Sequence, residues 1–230
     1  MKKITILMPV YNEYATLLEI LKRVENADFC GLEKEIILID DCSTDGTKKL
    51  YSEIETKHKV LYHIVNKGKG AALKTGLTEA TGDIIIIQDA DLEYNPEDYK
   101  PLIEKLLTGE ADVVYGSRFL DLTNSNTAVK SHYYGNKFLT FLTNLLFKTT
   151  LTDMETCYKA FKAEFIKNID IESERFDFEP EITAKMFKRN ARLKEVPISY
   201  NGRGQHEGKK ITYLDGVDAI LALIKFRFFR

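Results

Sequence analysis

The chain has 230 residues, of which 44% are hydrophobic, and this is enough for a full core and excludes an intrinsically disordered protein. Its 33 Lys and Arg against 35 Asp and Glu give a net charge of −2, which excludes a broad electrostatic footprint for nucleic acid. The three cysteines lie far apart with no Cys-x-x-Cys pair, so we expect neither a disulfide framework nor a zinc site. This use of cysteine is typical of a protein in a reducing cytoplasm. We also expect no cleaved signal peptide, because Met1-Lys2-Lys3 leads into a short apolar run with no cleavage-site pattern. A membrane-spanning helix is not expected either, since no apolar run reaches roughly 18 residues.

The first half of the chain alternates short apolar runs with helical patterns. The runs have strand length and occupy residues 4–10, 35–40, 60–65, 83–88 and 111–115. Between them, apolar residues recur at helical spacing, as in Leu17, Leu21 and Val24. Continuous Ile and Val runs indicate strands that are buried on both faces. The pattern therefore predicts an α/β fold with a mostly parallel central sheet flanked by helices.

The second half has a different pattern. A polar loop over residues 119–130 precedes a helix with Phe138, Phe141 and Leu145 on one face. A second helix is predicted over residues 178–188, a strand over 193–199, a Gly- and Lys-rich loop over 201–210, and an amphipathic helix at the C-terminal end. No repeat or linker separates the halves, so we predict one domain over residues 1–230.

Polar clusters follow four of the predicted strands. They are Tyr11-Asn12-Glu13, Asp40-Asp41, Asn66-Lys67 and Asp89-Ala90-Asp91. In parallel sheets, ligands bind beyond the carboxyl ends of the strands. The four clusters therefore predict a binding site at one edge of the sheet.

Asp89 and Asp91 predict a metal site. They flank one small residue directly after four consecutive isoleucines, and side chains two apart in an extended segment point to the same face. Two carboxylates on one face repel unless a cation lies between them, and Mg²⁺ or Mn²⁺ prefers oxygen ligands and bridges to substrate phosphates. Glu93 is a candidate third or water-mediated ligand. The alternative is a solvated turn with three acids.

A glycine-rich loop, Asn66-Lys67-Gly68-Lys69-Gly70, precedes the third predicted helix. Glycines let the backbone approach a phosphate, and a helix N-terminus favours its negative charge. The loop matches neither the P-loop nor the dinucleotide-binding template. An ordinary helix-opening loop is the alternative.

Side chains at the ends of the first two strands are candidates for the nucleoside. Tyr11 is placed to pack on a base, and Asp40 or Asp41 is placed to accept hydrogen bonds from base or ribose. Simple packing of Tyr11 and helix capping by one aspartate are the alternatives.

Five basic residues lie in the two loops of the second half: Arg118, Lys130, Arg203, Lys209 and Lys210. Converging on the metal site, they would bind phosphate from a donor or an acceptor. Arg118 is the strongest candidate, because it comes directly after the fifth predicted strand. Solvated loop charge is the alternative.

Taken together, the motifs resemble those of the family 2 inverting glycosyltransferases, and within them the dolichyl-phosphate mannosyltransferase-like group. The matching segments run in family order over nearly the whole chain. They are Met8-Pro9-Val10-Tyr11-Asn12-Glu13, Asp40-Asp41-Cys42-Ser43-Thr44-Asp45-Gly46-Thr47, Asn66-Lys67-Gly68-Lys69-Gly70-Ala71-Ala72, Gln88-Asp89-Ala90-Asp91, Gly116-Ser117-Arg118-Phe119, Leu151-Thr152-Asp153 and Glu207-Gly208-Lys209-Lys210-Ile211.

The resemblance implies the nucleotide-sugar-binding A-type fold, with a donor half over residues 1–118 and an acceptor half over residues 119–230. It implies catalytic roles for Asp91, Arg118 and Asp153, and contacts of Arg118 and Lys130 with an acceptor phosphate. It also implies a set of residues that bind the nucleotide sugar: Pro9, Tyr11, Glu13, Asp40, Asp41, Lys67, Gly68, Lys69, Asp89, Ala90, Asp91, Arg203 and Lys209.

The implied reaction is attack of an acceptor oxygen on the anomeric carbon of a GDP- or UDP-sugar. A polyprenyl phosphate acceptor is already anionic and needs no general base, whereas a hydroxyl acceptor needs one, for which Asp153 is the nearest candidate. A lipid acceptor requires membrane access. The face from Phe138 to Phe147 and the tail from Lys225 to Arg230 are apolar and basic together, as in interfacial helices. Packing of both helices on the core is the alternative.

Three other functions stay open. The first is the same chemistry with a saccharide or other hydroxyl acceptor. The second is a sugar nucleotidyltransferase, which would need a Gly-rich, Arg-containing loop where this chain has Pro9-Val10-Tyr11. The third is a non-catalytic module that binds nucleotide sugars.

Overall fold

The computed structural model describes residues 1–121, 123, 125–126, 130–202 and 213–229, with the backbone alone at 125–126, 130–132 and 213–214. Its strands are β1 (Lys3–Val10), β2 (Glu33–Asp40), β3 (Lys59–Tyr62), β4 (Ile84–Ile87), β5 (Val113–Ser117), β6 (Ser125–Asn126), β7 (Lys159–Lys162), β8 (Leu193–Pro197) and β9 (Tyr200–Asn201). Its α-helices are α1 (Leu17–Asn26), α2 (Tyr51–Ile54), α3 (Lys69–Glu79), α4 (Tyr99–Leu107), α5 (Lys130–Phe147), α6 (Ala163–Ile166), α7 (Phe178–Lys188) and α8 (Tyr213–Phe228).

A seven-stranded sheet in the order β3-β2-β1-β4-β7-β5-β8 forms the centre of the fold. All neighbouring strands are parallel except at β7, which is antiparallel to β4 and to β5. The short strands β6 and β9 form a separate parallel pair. The α/β fold with a mostly parallel central sheet is thus confirmed.

The sheet is buried on both faces, as the continuous apolar runs predict. Ile84 and Ile86 of β4 pack into one hydrophobic cluster, and Ile85 and Ile87 pack into the other. Helices α1, α2 and α4 cover the first face. Helices α3, α5, α6, α7 and α8 contribute to the second cluster. Because side chains alternate across a strand, four successive isoleucines supply both cores at once.

Strand β7 is the main element that the sequence pattern does not predict. It has only four residues, two of which are lysines, so it lacks the apolar run that identifies the other central strands. It is inserted between β4 and β5, with Ile84 opposite Lys162 and Ile86 opposite Ala160. Because β7 runs against its neighbours, its first residue lies at the edge where the parallel strands end. The loop that leads into β7 therefore enters the predicted site.

Several element boundaries differ from the expected ones for local reasons. The third strand ends at Tyr62 rather than at residue 65, because the His63 side chain turns inward to Asp41 while Ile64 and Val65 are exposed. A 3₁₀ turn over Pro96–Asp98 precedes α4, and the Asn95 side chain accepts a hydrogen bond from the Glu97 amide there. Within the described part of the chain, no helix combines the length and apolar character that crossing a bilayer requires.

Candidate active site

The carboxyl edge of the sheet gathers the predicted polar clusters. The register pairs Val10 with Asp40, so the segments after β1 and β2 leave the sheet side by side. The Asp41 amide donates to the Val10 carbonyl oxygen at 2.8 Å, and the Gln88 amide donates to the Leu7 carbonyl oxygen at 3.0 Å. The loops after β1, β2 and β4 are therefore adjacent.

Asp89 forms an ion-pair network with Lys69 and Glu179, in which Glu179 is buried and the other two are partly buried. The Lys69 Nζ lies 2.8 Å from Asp89 Oδ1 and 3.0 Å from Glu179 Oε1. Burial opposes the charge on Lys69, but the carboxylates of Asp89 and Glu179 outweigh it and raise the pKa of Lys69 well above its usual value. Lys69 is therefore an ammonium ion, and it holds positive charge beside Asp89 at the first turn of α3.

The two neighbouring acids have local partners. Asp91 Oδ1 accepts a hydrogen bond from the Glu93 amide at 3.1 Å. The Glu93 carboxylate accepts one from the Tyr200 hydroxyl at 2.8 Å. Among the described residues, no group of three or more His, Cys, Asp and Glu side chains is arranged to hold a metal ion. The role of Glu93 as a third ligand therefore stays a prediction.

Asp89 and Asp91 nevertheless fit a divalent cation that is shared with a substrate. Mg²⁺ is commonly bound through one or two carboxylates, while substrate phosphates and waters complete its shell. Carboxylate oxygens are the donors that Mg²⁺ and Mn²⁺ prefer. A complete protein cage is not required for such an ion.

Asp41 holds the glycine-rich loop in place. Its Oδ1 accepts from the Lys67 amide at 2.9 Å, and its Oδ2 accepts from the Gly68 amide at 2.7 Å. His63 Nδ1 lies 2.7 Å from Asp41 Oδ1, and His63 Nε2 lies 2.9 Å from the Thr75 hydroxyl. The amides of Lys67 and Gly68 thus point at a carboxylate of the protein itself.

The glycines of this loop also allow a close approach of another backbone segment. A Cβ atom at Gly68 would lie 2.4 Å from the Glu174 carbonyl oxygen, and one at Gly70 would lie 2.4 Å from that of Ser173. Gly68 also has a φ of +96°, which disfavours other residues. Close packing against residues 173–174 therefore accounts for both glycines, and phosphate binding by Lys67, Gly68 and Lys69 stays a prediction.

Asp40 is buried beneath the loop that follows β2. Its Oδ2 accepts from the Ser43 amide at 3.1 Å, and its Oδ1 accepts from the Tyr51 hydroxyl at 2.9 Å. These contacts fix the loop against the start of α2. Both Asp40 and Asp41 thus stabilise site loops in this structure, and their contact with base or ribose stays a prediction.

The segment after β1 is tied to the Asp89–Asp91 loop. The Thr16 hydroxyl lies 2.8 Å from Glu13 Oε2 and 3.0 Å from the Ala90 carbonyl oxygen. Pro9 and Tyr11 are partly buried at the end of β1. Their predicted contacts with a nucleotide sugar are compatible with this position and stay predictions.

Arg118 and Asp153 form a bidentate ion pair at the end of β5. Arg118 Nε donates to Asp153 Oδ2 and Nη2 donates to Oδ1, both at 2.7 Å. The Arg118 amide adds a third bond to Oδ2 at 3.0 Å. Both residues are at most 5% exposed, and the guanidinium lies 5.1 Å from the centre of the Tyr200 ring.

This pairing changes the role expected of Asp153. Its two oxygens already accept three hydrogen bonds from Arg118, so both are engaged with the protein rather than directed at an acceptor hydroxyl. The geometry favours Asp153 as the group that orients Arg118. A role as general base stays a prediction that the structure does not favour.

The other predicted basic residues are less fully described. Lys130 opens α5, but its side chain lies outside the described residues. Arg203, Lys209 and Lys210 lie in the segment 203–212, which is also outside them.

Four residues that the sequence pattern does not single out contact or border the site: Glu155, Cys157, Glu179 and Tyr200. Burial, together with the charges of Asp89 and Glu179, raises the pKa of Cys157 well above its usual value, which keeps this thiol protonated. An available signal for Glu179 is its place in Phe178-Glu179-Pro180-Glu181, where two acids interrupt the apolar start of a helix. Both acids are buried.

Comparison with known families gives a match to the glycosyl transferase family 2 over residues 5–170, more than half of the chain. An uncharacterised protein of Methanocaldococcus jannaschii is 33% identical over 203 residues, which cover 85% of this chain and 80% of that protein. A dolichol-phosphate mannosyltransferase of Pyrococcus furiosus is 28% identical over 215 residues, which cover 90% of this chain. The chain spans only 59% of the length of that enzyme.

A third relative is a UDP-N-acetylglucosamine–dolichyl-phosphate N-acetylglucosaminyltransferase of Methanococcus voltae. It is 27% identical over 217 residues, which cover 86% of this chain and 85% of that enzyme. Two of the three relatives thus carry names of dolichyl-phosphate sugar transferases.

Solved structures share the fold. Glucosyl-3-phosphoglycerate synthase from Mycobacterium tuberculosis, in complex with Mn²⁺, UDP and phosphoglyceric acid, superposes with a TM-score of 0.76 at 19% identity, covering 100% of this chain and 80% of that one. Its complex with Mg²⁺ and UDP gives a TM-score of 0.72 at 19% identity, covering 98% and 79%. At such identities the similarity establishes the A-type glycosyltransferase fold alone. The chain therefore belongs to glycosyl transferase family 2, in the group related to the dolichyl-phosphate sugar transferases, and is a glycosyltransferase.

Proposed function

We propose that this protein is a metal-dependent inverting enzyme that moves a hexose from a GDP- or UDP-sugar to a polyprenyl phosphate. The observation that carries this proposal is the distribution of charge along the carboxyl edge. The acidic pair Asp89 and Asp91 follows β4, and the buried guanidinium of Arg118 follows β5. Strand β7 alone separates β4 from β5. One part of the edge therefore suits a cation with its diphosphate, and the neighbouring part suits an anionic acceptor.

On the donor side, Asp89 and Asp91 would hold Mg²⁺ or Mn²⁺. Such an ion neutralises the charge of a leaving diphosphate as a Lewis acid. Lys69 adds a fixed positive charge next to Asp89, at 2.8 Å. The superposed synthase was crystallised with Mn²⁺ or Mg²⁺ together with UDP, which supports the same type of donor site here.

On the acceptor side, the protein needs a positive group more than it needs a base. A phosphate monoester is anionic at pH 7, so its oxygen attacks without losing a proton to the protein. Arg118 is held by Asp153 through Nε and Nη2, which fixes the orientation of the guanidinium. This arrangement supports a phosphate acceptor, and the names of two relatives point to the same class.

Helices α5 and α8 provide a surface suited to the lipid part of such an acceptor. One side of this pair packs on the core through Leu139, Leu223 and Phe226. The other side leaves large apolar residues exposed, and they are Tyr134, Phe138, Phe141 and Leu145 on α5 and Val217, Leu221 and Phe228 on α8. An exposed apolar patch of this kind is typical of membrane or partner contact. We call these seven residues the α5–α8 patch, and we propose that it faces the lipid.

An acceptor panel with a fixed donor tests the proposal. Transfer to a polyprenyl phosphate in the presence of Mn²⁺ is expected, with no transfer to the matching polyprenol or to a saccharide. Asp89→Ala and Asp91→Ala should abolish turnover. Glu97→Ala removes an exposed carboxylate from the 3₁₀ turn that follows this loop and should leave turnover intact.

Efficient transfer to a hydroxyl acceptor would contradict the acceptor assignment and favour the saccharide-transferring alternative. Full turnover in both aspartate variants would contradict the metal site.

A further inference from the structure

Glu155 lies in the loop that enters β7 from the carboxyl edge of the sheet. This loop follows Asp153, the partner of Arg118, and precedes Lys159, the first residue of β7. Since β7 is paired with β4 on one side and β5 on the other, the loop lies between the segment with Asp89 and the segment with Arg118.

The backbone of this loop is held firmly. Lys159 Nζ donates to the Met154 carbonyl oxygen at 2.8 Å and also to that of Thr156, on either side of Glu155. The Asp153 amide donates to Glu195 Oε1 at 3.0 Å. Side chains presented by such a fixed backbone are pre-organised for a ligand.

The Glu155 side chain has an unused hydrogen-bonding atom. Its Oε1 is buried and has no hydrogen-bond partner among the described residues. No other buried side-chain oxygen or nitrogen in this part of the chain lacks one. Buried polar atoms are nearly always paired in folded proteins, so an unpaired one calls for a functional explanation. Burial, and next the charge of Glu179, raise the pKa of Glu155 above its usual value. Near neutral pH this carboxyl group thus keeps a share of its proton, and can both accept from a hydroxyl group and donate to one.

This inference rests on the proposed function, under which the position of Glu155 indicates the part of the substrate that it contacts. In a direct displacement, the transferred sugar lies between the leaving diphosphate and the attacking oxygen. Asp89 and Arg118 mark these two positions, and the Glu155 loop lies between them. A lipid chain has no group that would pair with the carboxyl oxygen, whereas a hexose offers several hydroxyl groups.

We propose that Glu155 hydrogen-bonds a hydroxyl group of the transferred hexose and thereby contributes to the choice of donor sugar. It acts as a binding and specificity residue, separate from the acids that hold the diphosphate. Lys159 and Glu195 fix the loop that positions it.

Binding of nucleotide sugars and of nucleoside diphosphates by one set of variants tests this role. UDP-glucose, UDP-N-acetylglucosamine and GDP-mannose are titrated in Mn²⁺ against the wild type, Glu155→Leu, Glu155→Asp and the control Glu97→Ala, with UDP and GDP as ligands that lack the sugar. For the sugar donor that the wild type binds, Glu155→Leu and Glu155→Asp should weaken binding by about 10- to 100-fold. Binding of the nucleoside diphosphate should stay within about twofold, since only the sugar contact is lost.

Deoxy-sugar donors then identify the hydroxyl group. Removing that hydroxyl should reduce kcat/KM of the wild type by about 10- to 100-fold but have little further effect in Glu155→Leu, because contacting groups are not additive. Glu155→Asp keeps the charge of the loop, so it provides the same comparison if Glu155→Leu does not fold.

Three results would overturn the inference while leaving the glycosyltransferase assignment intact. One is equal weakening of nucleoside diphosphate and nucleotide sugar, and a second is additive effects at every deoxy position. The third is a Glu155→Gln variant with normal donor affinity, about 100-fold lower turnover and a lost acidic limb of the pH profile, which is the behaviour of a general base. Failure of the wild type to bind any nucleotide sugar would instead overturn the proposed function, and this inference with it.

Discussion

At the scale of single residues, charged groups of the site are also structural groups of the fold. Lys69, Asp89 and Glu179 are linked by contacts of 2.8 and 3.0 Å, and Arg118 and Asp153 are buried with three hydrogen bonds between them. A buried charge that loses its partner destabilises the protein strongly. Substitutions here therefore alter stability and turnover together, and the two effects need separate measurements.

A double variant separates them at Arg118. Asp153→Ala should lower the free energy of unfolding by about 3–5 kcal/mol, because it leaves the guanidinium buried and unpaired. Arg118→Met combined with Asp153→Leu removes both charges and should recover most of that stability, while transfer stays lost. Denaturant unfolding and a transfer assay on the same samples measure the two effects. Recovery of activity in the double variant would contradict the role of Arg118 in acceptor binding.

Glu35 gives a pH-dependent contribution to stability. Burial opposes its charge, but hydrogen bonds from Thr5, Thr81 and Lys3 lower the pKa of Glu35 to about 2. A carboxyl group whose pKa is lowered in the folded state stabilises the fold at pH values above its usual pKa near 4.5. That stabilisation is lost as the pH falls toward 2.

Glu35→Gln should therefore lower the free energy of unfolding at pH 7 by about 1 kcal/mol, a modest amount because solvent screens part of the interaction. The difference from the wild type should shrink between pH 4.5 and pH 2. Urea unfolding at several pH values checks both statements. A difference that is constant with pH would show that the carboxylate charge is not the cause.

At the scale of elements, the strands were more predictable than the contacts at their ends. Apolar runs locate β1, β2, β4 and β5 because these strands are buried on both faces. The pattern misses β7, since Lys159 and Lys162 conceal a strand whose ammonium groups find partners only after folding. No sequence pattern shows that Asp153 pairs with Arg118, since that contact joins residues on two different loops. The sequence pattern does not single out Glu155, because acidic residues are common in polar loops.

The α5–α8 patch is the element-scale feature on which the proposed membrane contact depends. Phe141→Gln combined with Leu145→Gln should reduce co-sedimentation with vesicles of anionic lipid severalfold and leave the melting temperature nearly unchanged, since both residues are more than 60% exposed. Leu18→Gln is a matched control, because Leu18 is exposed on α1, which covers the opposite face of the sheet.

Equal vesicle binding by the Phe141→Gln, Leu145→Gln variant and the Leu18→Gln control would show that the α5–α8 patch is not the membrane contact.

At the scale of the whole molecule, a net charge of −2 conceals a local separation of charge. Acids follow β4, the Arg118 guanidinium follows β5, and an apolar patch covers two helices. Each of these features suits a different part of the proposed reaction: a diphosphate with its cation, an anionic acceptor, and a lipid chain. Ligands that bind only the folded protein raise its apparent stability, so the assembled site is measurable on the intact chain.

Mn²⁺ and a matching nucleotide sugar together should raise the melting temperature by roughly 5–10 °C at a hundredfold excess over Kd. Addition of EDTA should remove most of that shift, and the Asp89→Ala, Asp91→Ala double variant should not show it. Thermal unfolding with GDP- and UDP-sugars in parallel also identifies the base. An EDTA-resistant shift of the same size would contradict a metal-dependent donor site.

The place of β7 in the sheet has a consequence for how the protein is made. Both hydrogen-bonded neighbours of β5, which are β7 and β8, come later in the chain than β5 itself. A nascent chain that has emerged from the ribosome only as far as Arg118 therefore contains all the strands of the β3-β2-β1-β4 part of the sheet. It also contains β5, but neither of the strands that pair with β5. Exposed strand edges recruit other chains, so release at that stage would favour aggregation until the residues after Lys159 are translated.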